Sequence, residues 1–434
     1  MLKKKLLLVA ITMLFCHLLH AQFLMDMVDT SKNMGKGMLQ LYNKFNRIKI
    51  SGYTQFQFQL AQTKGEKSFA GGDFATNVNN RFMIRRGRLR VDYIRTDKNE
   101  HPFLQLSMQL DGTEKGFGIR DFWGRVHENK WQLFSFTAGM FARPFGYELN
   151  LGSADRESPE RGRMSQILMK GERDLGVMAS FEPRKKDNPL KHLKLDAGFF
   201  NGQGIPGING EYDSYKDFIS RLTIKPYKVT KQLSISGGLS FFNGGFIETT
   251  KYLYSTGINP GGAKVFIVDS AVTNINSKAP RKYYGADIQI KFKHKWGATE
   301  FRAEYWAGTQ TATASTSETP ALLTIEPYYV RKFQGAYFYF LQHIINEKHQ
   351  LVLKYDWYDP NTKLSKNDIG KPGTNINATN IRYSTFGIGY CYYMNESLKM
   401  VLYYDIITNE KTQLPGYTSD VKDNVFTCRL QFRF

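Results

Sequence analysis

The 434-residue chain is poor in cysteine, poor in acidic relative to basic residues and, beyond its first twenty or so residues, poor in unbroken apolar runs. Each shortage excludes something. Of three cysteines, Cys16 falls in the amino-terminal apolar stretch. Cys391 and Cys428 lie on segments predicted to be non-adjacent and to face opposite ways, so neither a disulfide framework nor a metal or redox motif is expected. After residue 21 no apolar run approaches the ~20 residues that a membrane-crossing helix needs. Only eight histidines occur, with His17 and His20 in the amino-terminal stretch and His101, His192, His294 and His349 at predicted turns. His127 and His343 sit at strand ends without an evident serine partner, so a Ser/His/carboxylate hydrolase is not expected. Lysine and arginine outnumber aspartate and glutamate by 59 to 39, for a net charge of +20. Those basic residues are dispersed rather than gathered in one patch, which argues against a nucleic-acid recognition module.

What is present begins with a secretory leader over residues 1–21. Lys3, Lys4 and Lys5 form its charged start, Leu6 to Leu19 its apolar centre, and Leu19-His20-Ala21 offers a small residue before Gln22. Residues 22–46 precede the first predicted strand; Met34, Met38, Leu41, Tyr42 and Phe45 have helical spacing, which predicts a short periplasmic helix. From 47 to 434 the dominant signal is alternation with period 2. It predicts about sixteen strands, near 47–60, 80–94, 102–112, 119–128, 131–142, 174–182, 190–200, 215–226, 232–242, 281–293, 296–307, 331–343, 348–358, 380–392, 397–407 and 421–434. The last is the most telling. Phe426, Cys428, Leu430, Phe432 and Phe434 share one face, and Thr427, Arg429, Gln431 and Arg433 share the other. Such a strand suits lipid on one side and water on the other.

A secreted chain with amphipathic strands and no helical span has one way to cross a bilayer, the closed barrel, because every backbone group must be paired inside lipid. Its mean hydropathy of -0.42 agrees, since half of each strand would face water. Between the strands, long connections (61–79, 143–173, 201–214, 243–280, 308–330, 359–379 and 408–420) alternate with tight turns, 113–118 being the one brief member of the long set. Long external loops alternating with short periplasmic turns mark an all-β, transmembrane antiparallel barrel in the outer membrane of a diderm bacterium, in contact with its lipids. Aromatic residues near strand ends (Tyr337, Tyr339, Trp357, Tyr358, Tyr390, Tyr392, Tyr393, Tyr403 and Tyr404) read one by one either as ordinary β-propensity or as members of interfacial girdles, and together they favour girdles.

The densest charge run is Arg85-Arg86-Gly87-Arg88-Leu89-Arg90-Val91-Asp92. With Leu89 and Val91 toward lipid, Arg86, Arg88, Arg90 and Asp92 face the lumen; the reverse phase would place three arginines in hydrocarbon at ~2–4 kcal/mol each. Arg85 then points outward, which requires a membrane edge, a subunit contact or a bulge. The same phase directs Lys49, Arg125, Lys194, Arg221, Lys225, Lys291, Arg302, Lys354, Lys399, Arg429 and Arg433 inward. It directs Asp92, Asp111, Asp121, Asp196, Asp287, Glu300, Glu304, Asp356 and Asp405 inward as well. The lumen is therefore mixed but net basic. Guanidinium groups in a narrow passage replace the hydration of an anion and repel cations, while the same charges paired with acids across the barrel would be purely structural. Segment 143–173 carries Arg143, Arg156, Arg161, Arg163, Lys170 and Arg173 against five acids, as in a salt-bridged loop, either tucked into the barrel or exposed.

Arg85-Arg86-Gly87-Arg88-Leu89-Arg90, Asp121-Phe122-Trp123-Gly124, Gly139 to Gly146 and Arg173-Asp174-Leu175-Gly176-Val177 together resemble the phosphate-selective porin O and P family. Phe200 to Gly204 and Lys216 to Leu222 continue in the same order, and the resemblance runs from about residue 48 to the end. It implies a sixteen-stranded, homotrimeric porin whose third extracellular loop folds inward, passing phosphate or polyphosphate by arginines that include Arg85 and Arg86. It also implies that Phe434 guides the chain to the barrel-assembly machinery. The residues expected to line the passage or hold the anion are Arg85, Arg86, Arg88, Arg90, Arg125, Arg143, Arg156, Arg161, Arg163 and Arg173. No cofactor or metal is expected, and the alternatives are a non-selective diffusion porin or a barrel-anchored receptor or scaffold.

Overall fold

The structure, a computed structural model, describes residues 47–205 and 211–434. The predicted leader 1–21 and the helical segment predicted in 22–46 lie outside the described residues. The wall opens with β1 (Ile48–Ala61), β2 (Asn80–Thr96), β3 (Pro102–Thr113), β4 (Gly116–His127) and β5 (Phe134–Ala142). It continues with β6 (Arg173–Phe181), β7 (Leu193–Phe200), β8 (Asp217–Lys228) and β9 (Leu233–Ile247). A hairpin, β10 (Leu253–Ile258) and β11 (Lys264–Asp269), interrupts the sequence but not the wall, because β9 pairs directly with β12 (Lys278–His294). Then follow β13 (Gly297–Ala312), β14 (Tyr328–His343), β15 (His349–Asp359), β16 (Tyr383–Tyr393), β17 (Leu398–Asn409) and β18 (Val425–Arg433).

Sixteen antiparallel strands thus close on themselves, with β18 running back along β1 from Tyr53 opposite Arg433 to Ala61 opposite Val425. Beyond the ladder, the Phe434 and Gly52 backbones exchange two hydrogen bonds of 3.0 and 3.1 Å. A side chain at residue 52 would strike the Phe434 ring and the Arg88 carbonyl, so closure at this point needs glycine. Closure leaves no strand edge in lipid. The alternation read from sequence sorts as expected: Phe56, Leu89, Leu106, Phe122, Leu239, Phe301 and Phe386 are exposed on the outside, while Gln55, Gln57, Gln59, Arg86, Arg88 and Arg429 are buried within.

Two expectations need correction. Residues 243–280, expected to be a long connection without a strand, hold the hairpin β10–β11 around Asn259-Pro260-Gly261-Gly262. There β10 lies parallel to the top of β14 and stacks Tyr254 on Tyr329 at 4.4 Å. This hairpin has no lipid face, so it lacks the alternation that marks the wall strands. Four of the expected girdle tyrosines, Tyr337, Tyr339, Tyr358 and Tyr403, are instead buried inside the barrel.

They are covered because loop 143–172 folds inward. Its Phe145, Leu149, Met164, Ile167, Leu168 and Met169, the last four in or beside a short helix α1 (Arg163–Leu168), form one apolar cluster with inward side chains of the wall. Those wall partners include Met178, Phe200, Phe242, Tyr283, Trp306, Phe333 and Tyr358. Each such side chain contributes roughly 1.5–3 kcal/mol when removed from water. The loop is therefore held as a packed core inside the lumen rather than lying loosely within it.

Candidate functional site

With the loop packed toward β6–β15, the remaining space lies against β2, β3 and β4. A cavity of ≈ 600 Å³ opens there between Arg85, Arg86, Arg88, Asp111 and Arg120 on the wall and Glu160, Arg161 and Glu172 on the loop. Two β-bulges shape this wall. In β2, Gln55 of β1 opposes Arg86 while Phe56 opposes Ile84, leaving Arg85 as the extra residue. In β4, Gln109 of β3 opposes Asp121 while Leu110 opposes Ile119, leaving Arg120 extra. An extra residue is unpaired and re-aims its side chain. Both guanidiniums consequently turn inward, whereas Ile119 stays exposed on the outside. Of the three placements that phase allowed for Arg85, the structure takes the bulge, and its outward orientation is corrected.

The loop and the wall share the acids that these arginines meet. The Glu160 carboxylate accepts from Arg85 Nε at 2.8 Å, Arg86 Nη2 at 2.6 Å and Arg429 Nη2 at 3.0 Å. Asp111 of β3 is shared by Arg88 at 3.0 Å and Arg120 at 3.5 Å. Glu172 is shared by Arg120, by Arg161 at 3.0 Å and by Arg173 at 3.1 Å; Arg173 also reaches Asp121 at 3.2 Å. Seven guanidiniums therefore share four carboxylates. Burial alone would raise the Glu160 carboxyl, but Arg85, Arg86 and Arg429 hold it well below the usual carboxylate range. Burial pushes the Arg161 guanidinium down, with Arg156 and Arg173 adding like-charge repulsion.

Of the arginines singled out in sequence, Arg85, Arg86, Arg88 and Arg161 line the cavity and Arg173 joins the cluster behind it. Arg90 and Arg125 continue along the same wall toward the periplasmic end, on either side of Trp123, with Arg90 bound to Asp92 at 2.7 Å and Arg125 donating to Thr137 at 2.8 Å. Three lie elsewhere. Arg143 is buried at the loop's base beside Asp174, and Arg163 is sandwiched between the Phe69 and Tyr383 rings at 4.6 and 3.8 Å. Arg156 is buried within the loop, and none of its side-chain nitrogens has a partner among the described residues. On the far wall, inward charges pair locally, as in Arg221 with Asp287 at 2.6 Å and Lys354 with Asp356 at 3.2 Å. Arg120 was missed by sequence reasoning. Its signal was available: Arg120 and Asp121 are consecutive ions inside a lipid-spanning strand, which only a bulge or an edge accommodates.

A closed sixteen-stranded barrel with an apolar outer band and an inward-folded loop is the fold of an outer-membrane porin. DcaP, the outer-membrane channel of Acinetobacter baumannii, superposes with a TM-score of 0.52 at 12% identity, over 89% of this chain and 97% of that one. OmpF of Salmonella typhi, in a complex with daunomycin, gives 0.52 at 10% identity, over 91% and 99%. At the level of sequence, no protein family and no curated protein matches the chain.

Proposed function

We propose that the chain is a passive outer-membrane channel that admits small anions, phosphate or polyphosphate among them, in preference to cations. The observation that carries this reading is the imbalance around the cavity, where seven guanidiniums share four carboxylates. In a narrow, low-dielectric passage such fixed charge acts more strongly than in bulk water and is screened only in part by salt. A homotrimer is part of the proposal. β5, β6 and β7 have only 8 or 9 residues, at or below the ~9–11 that a spanning strand needs. That low wall is best covered by neighbouring copies rather than lipid.

The test is a reversal potential across a salt gradient in planar bilayers, comparing wild type with the triple variant Arg86→Gln, Arg88→Gln, Arg90→Gln. Gln keeps length and hydrogen bonding but removes three charges, so anion-over-cation permeability should fall while the barrel still folds. Replacing Leu89 and Val91 by Gln should instead harm insertion, because those positions face lipid. An unchanged reversal potential in the triple variant would make the arginines structural charges. A wild-type protein that inserts but stays closed would favour a receptor or scaffold.

A further inference from the structure

Glu160 occupies the place where an entering anion would find the most donors. Three guanidiniums from two strands converge on its carboxylate, those of Arg85 and Arg86 in β2 and Arg429 in β18, with five side-chain hydrogen bonds between them. Convergent donors of this kind, with cation charge to spare, are what a tetrahedral oxyanion needs. The carboxylate sits on the loop, not on the wall. It is tethered between Pro159, whose carbonyl accepts from Arg429 Nη1 at 2.7 Å, and Arg161, whose Nε donates to the Glu148 carbonyl at 3.1 Å.

A second observation bears on the same carboxylate. Arg156, four residues earlier, is 2% exposed, yet its Nε, Nη1 and Nη2 have no acceptor among the described residues. A buried guanidinium without acceptors is strongly disfavoured and has no reason to persist as a static feature. Glu160 and Glu148 are the carboxylates whose charge favours it, and Arg86 is the largest source of like-charge repulsion. Glu160 thus has two guanidinium sets within its surroundings, one fully engaged on the pore side and one unfilled inside the loop.

We propose that Glu160 is a tethered competitor for the permeating anion, which takes its place on Arg85, Arg86 and Arg429 while Glu160 turns to Arg156. The exchange keeps an anionic group on the three guanidiniums throughout. An anion enters a site already organised for an oxyanion, and the displaced carboxylate satisfies the buried guanidinium, so Glu160 is not stranded when the anion arrives. The consequence is weak retention, because the protein's own carboxylate drives the anion out again. This rests on the anion-channel reading above and specifies how its site is regulated.

The test uses full-length protein in planar bilayers, where only inserted, folded channels are recorded, with inorganic phosphate as blocker of the chloride current. Glu160→Gln should raise anion-over-cation permeability and let phosphate block at a concentration about tenfold lower, as expected for the loss of one competing unit charge at contact distance. Glu160→Asp, which keeps the charge on a shorter arm, should lie between. Arg156→Gln should weaken phosphate block in wild type and have no further effect in the Glu160→Gln background. The proposal is overturned if Glu160→Gln leaves permeability and block unchanged, or if Arg156→Gln acts equally in both backgrounds. These outcomes are distinct from failure of the channel reading itself, which would appear in the triple arginine variant whatever Glu160 does.

Discussion

Phe145 is the side chain on which the position of the inward loop depends most, and Phe145→Ala isolates its contribution. It lies just beyond β5, after Arg143 and Pro144, and is fully buried, with its ring 4.8 Å from Trp306 and 6.3–6.4 Å from Tyr283 and Phe242, all three edge-on. The next residues fix the chain's direction. Gly146 adopts φ 66°, a conformation that disfavours side chains, and a Cβ there would run into the Glu304 carboxylate. That carboxylate accepts from the Tyr147 and Glu148 amides at 3.0 and 2.9 Å. Truncating a buried Phe to Ala costs about 3–5 kcal/mol. The wall is paired independently of this ring, so the loss falls on loop docking rather than on the barrel. At about 1.4 kcal/mol per decade, the docked-to-undocked ratio should fall by roughly two to three and a half orders of magnitude. The expected result is a correctly inserted barrel with larger and noisier single-channel conductance and a loop newly open to protease. Phe145→Leu, which keeps most of the apolar volume, should do far less. If Phe145→Ala retains wild-type conductance and protease resistance, the polar tethers hold the loop alone and the reasoning from the aromatic pocket is wrong.

Deletion of Phe434 removes the two closing backbone hydrogen bonds to Gly52 and should lower the yield of heat-modifiable barrel in the outer membrane while secretion continues; an unchanged yield would refute a closing role. Glu248, buried at the foot of loop 248–277, has its carboxyl pushed up by burial to about 7 from 4.5. An acid whose folded value is raised favours the fold while protonated, so the loop should be most stable below about pH 4.5 and lose stability as pH rises through 7. Hydrogen exchange of 248–277 at pH 5.5 and pH 8 should show this loosening, and Glu248→Gln should abolish the difference.

The wall was legible because lipid and water impose opposite demands on alternate residues, so each of its sixteen strands carries its own orientation. Leu89 and Val91 could only face out, and that fixed Arg86, Arg88 and Arg90. Elements without a lipid face left weaker traces. The hairpin β10–β11 packs on Tyr329 and has its edge capped by Asn375, whose amide meets both backbone groups of Phe266; the Pro-Gly-Gly run at its turn is the local trace it leaves in the sequence. The site was legible as a basic wall and a charged loop, but not as a geometry. Which acid meets which arginine depends on where the loop packs, and that depends on Phe145 finding Trp306 some 160 residues away in sequence. Tyr337 and Tyr358 were misplaced for the same reason, since strand phase alone does not reveal what covers the inner face.

The paired bulges at Arg85 and Arg120 carry a consequence for how such a wall can change over generations. A regular strand can show the lumen only every second residue, so more charge normally requires replacing residues that already do something else. A bulge escapes that limit by holding a supernumerary residue, and the pairing on both sides of it is left in register. Losing the codon for either arginine would restore an unbroken ladder and subtract one positive charge from the passage. Gaining one elsewhere on the wall would do the reverse. The charge of this lumen wall is thereby open to adjustment by single-residue insertions and deletions, a class of mutation that regular strands accommodate poorly.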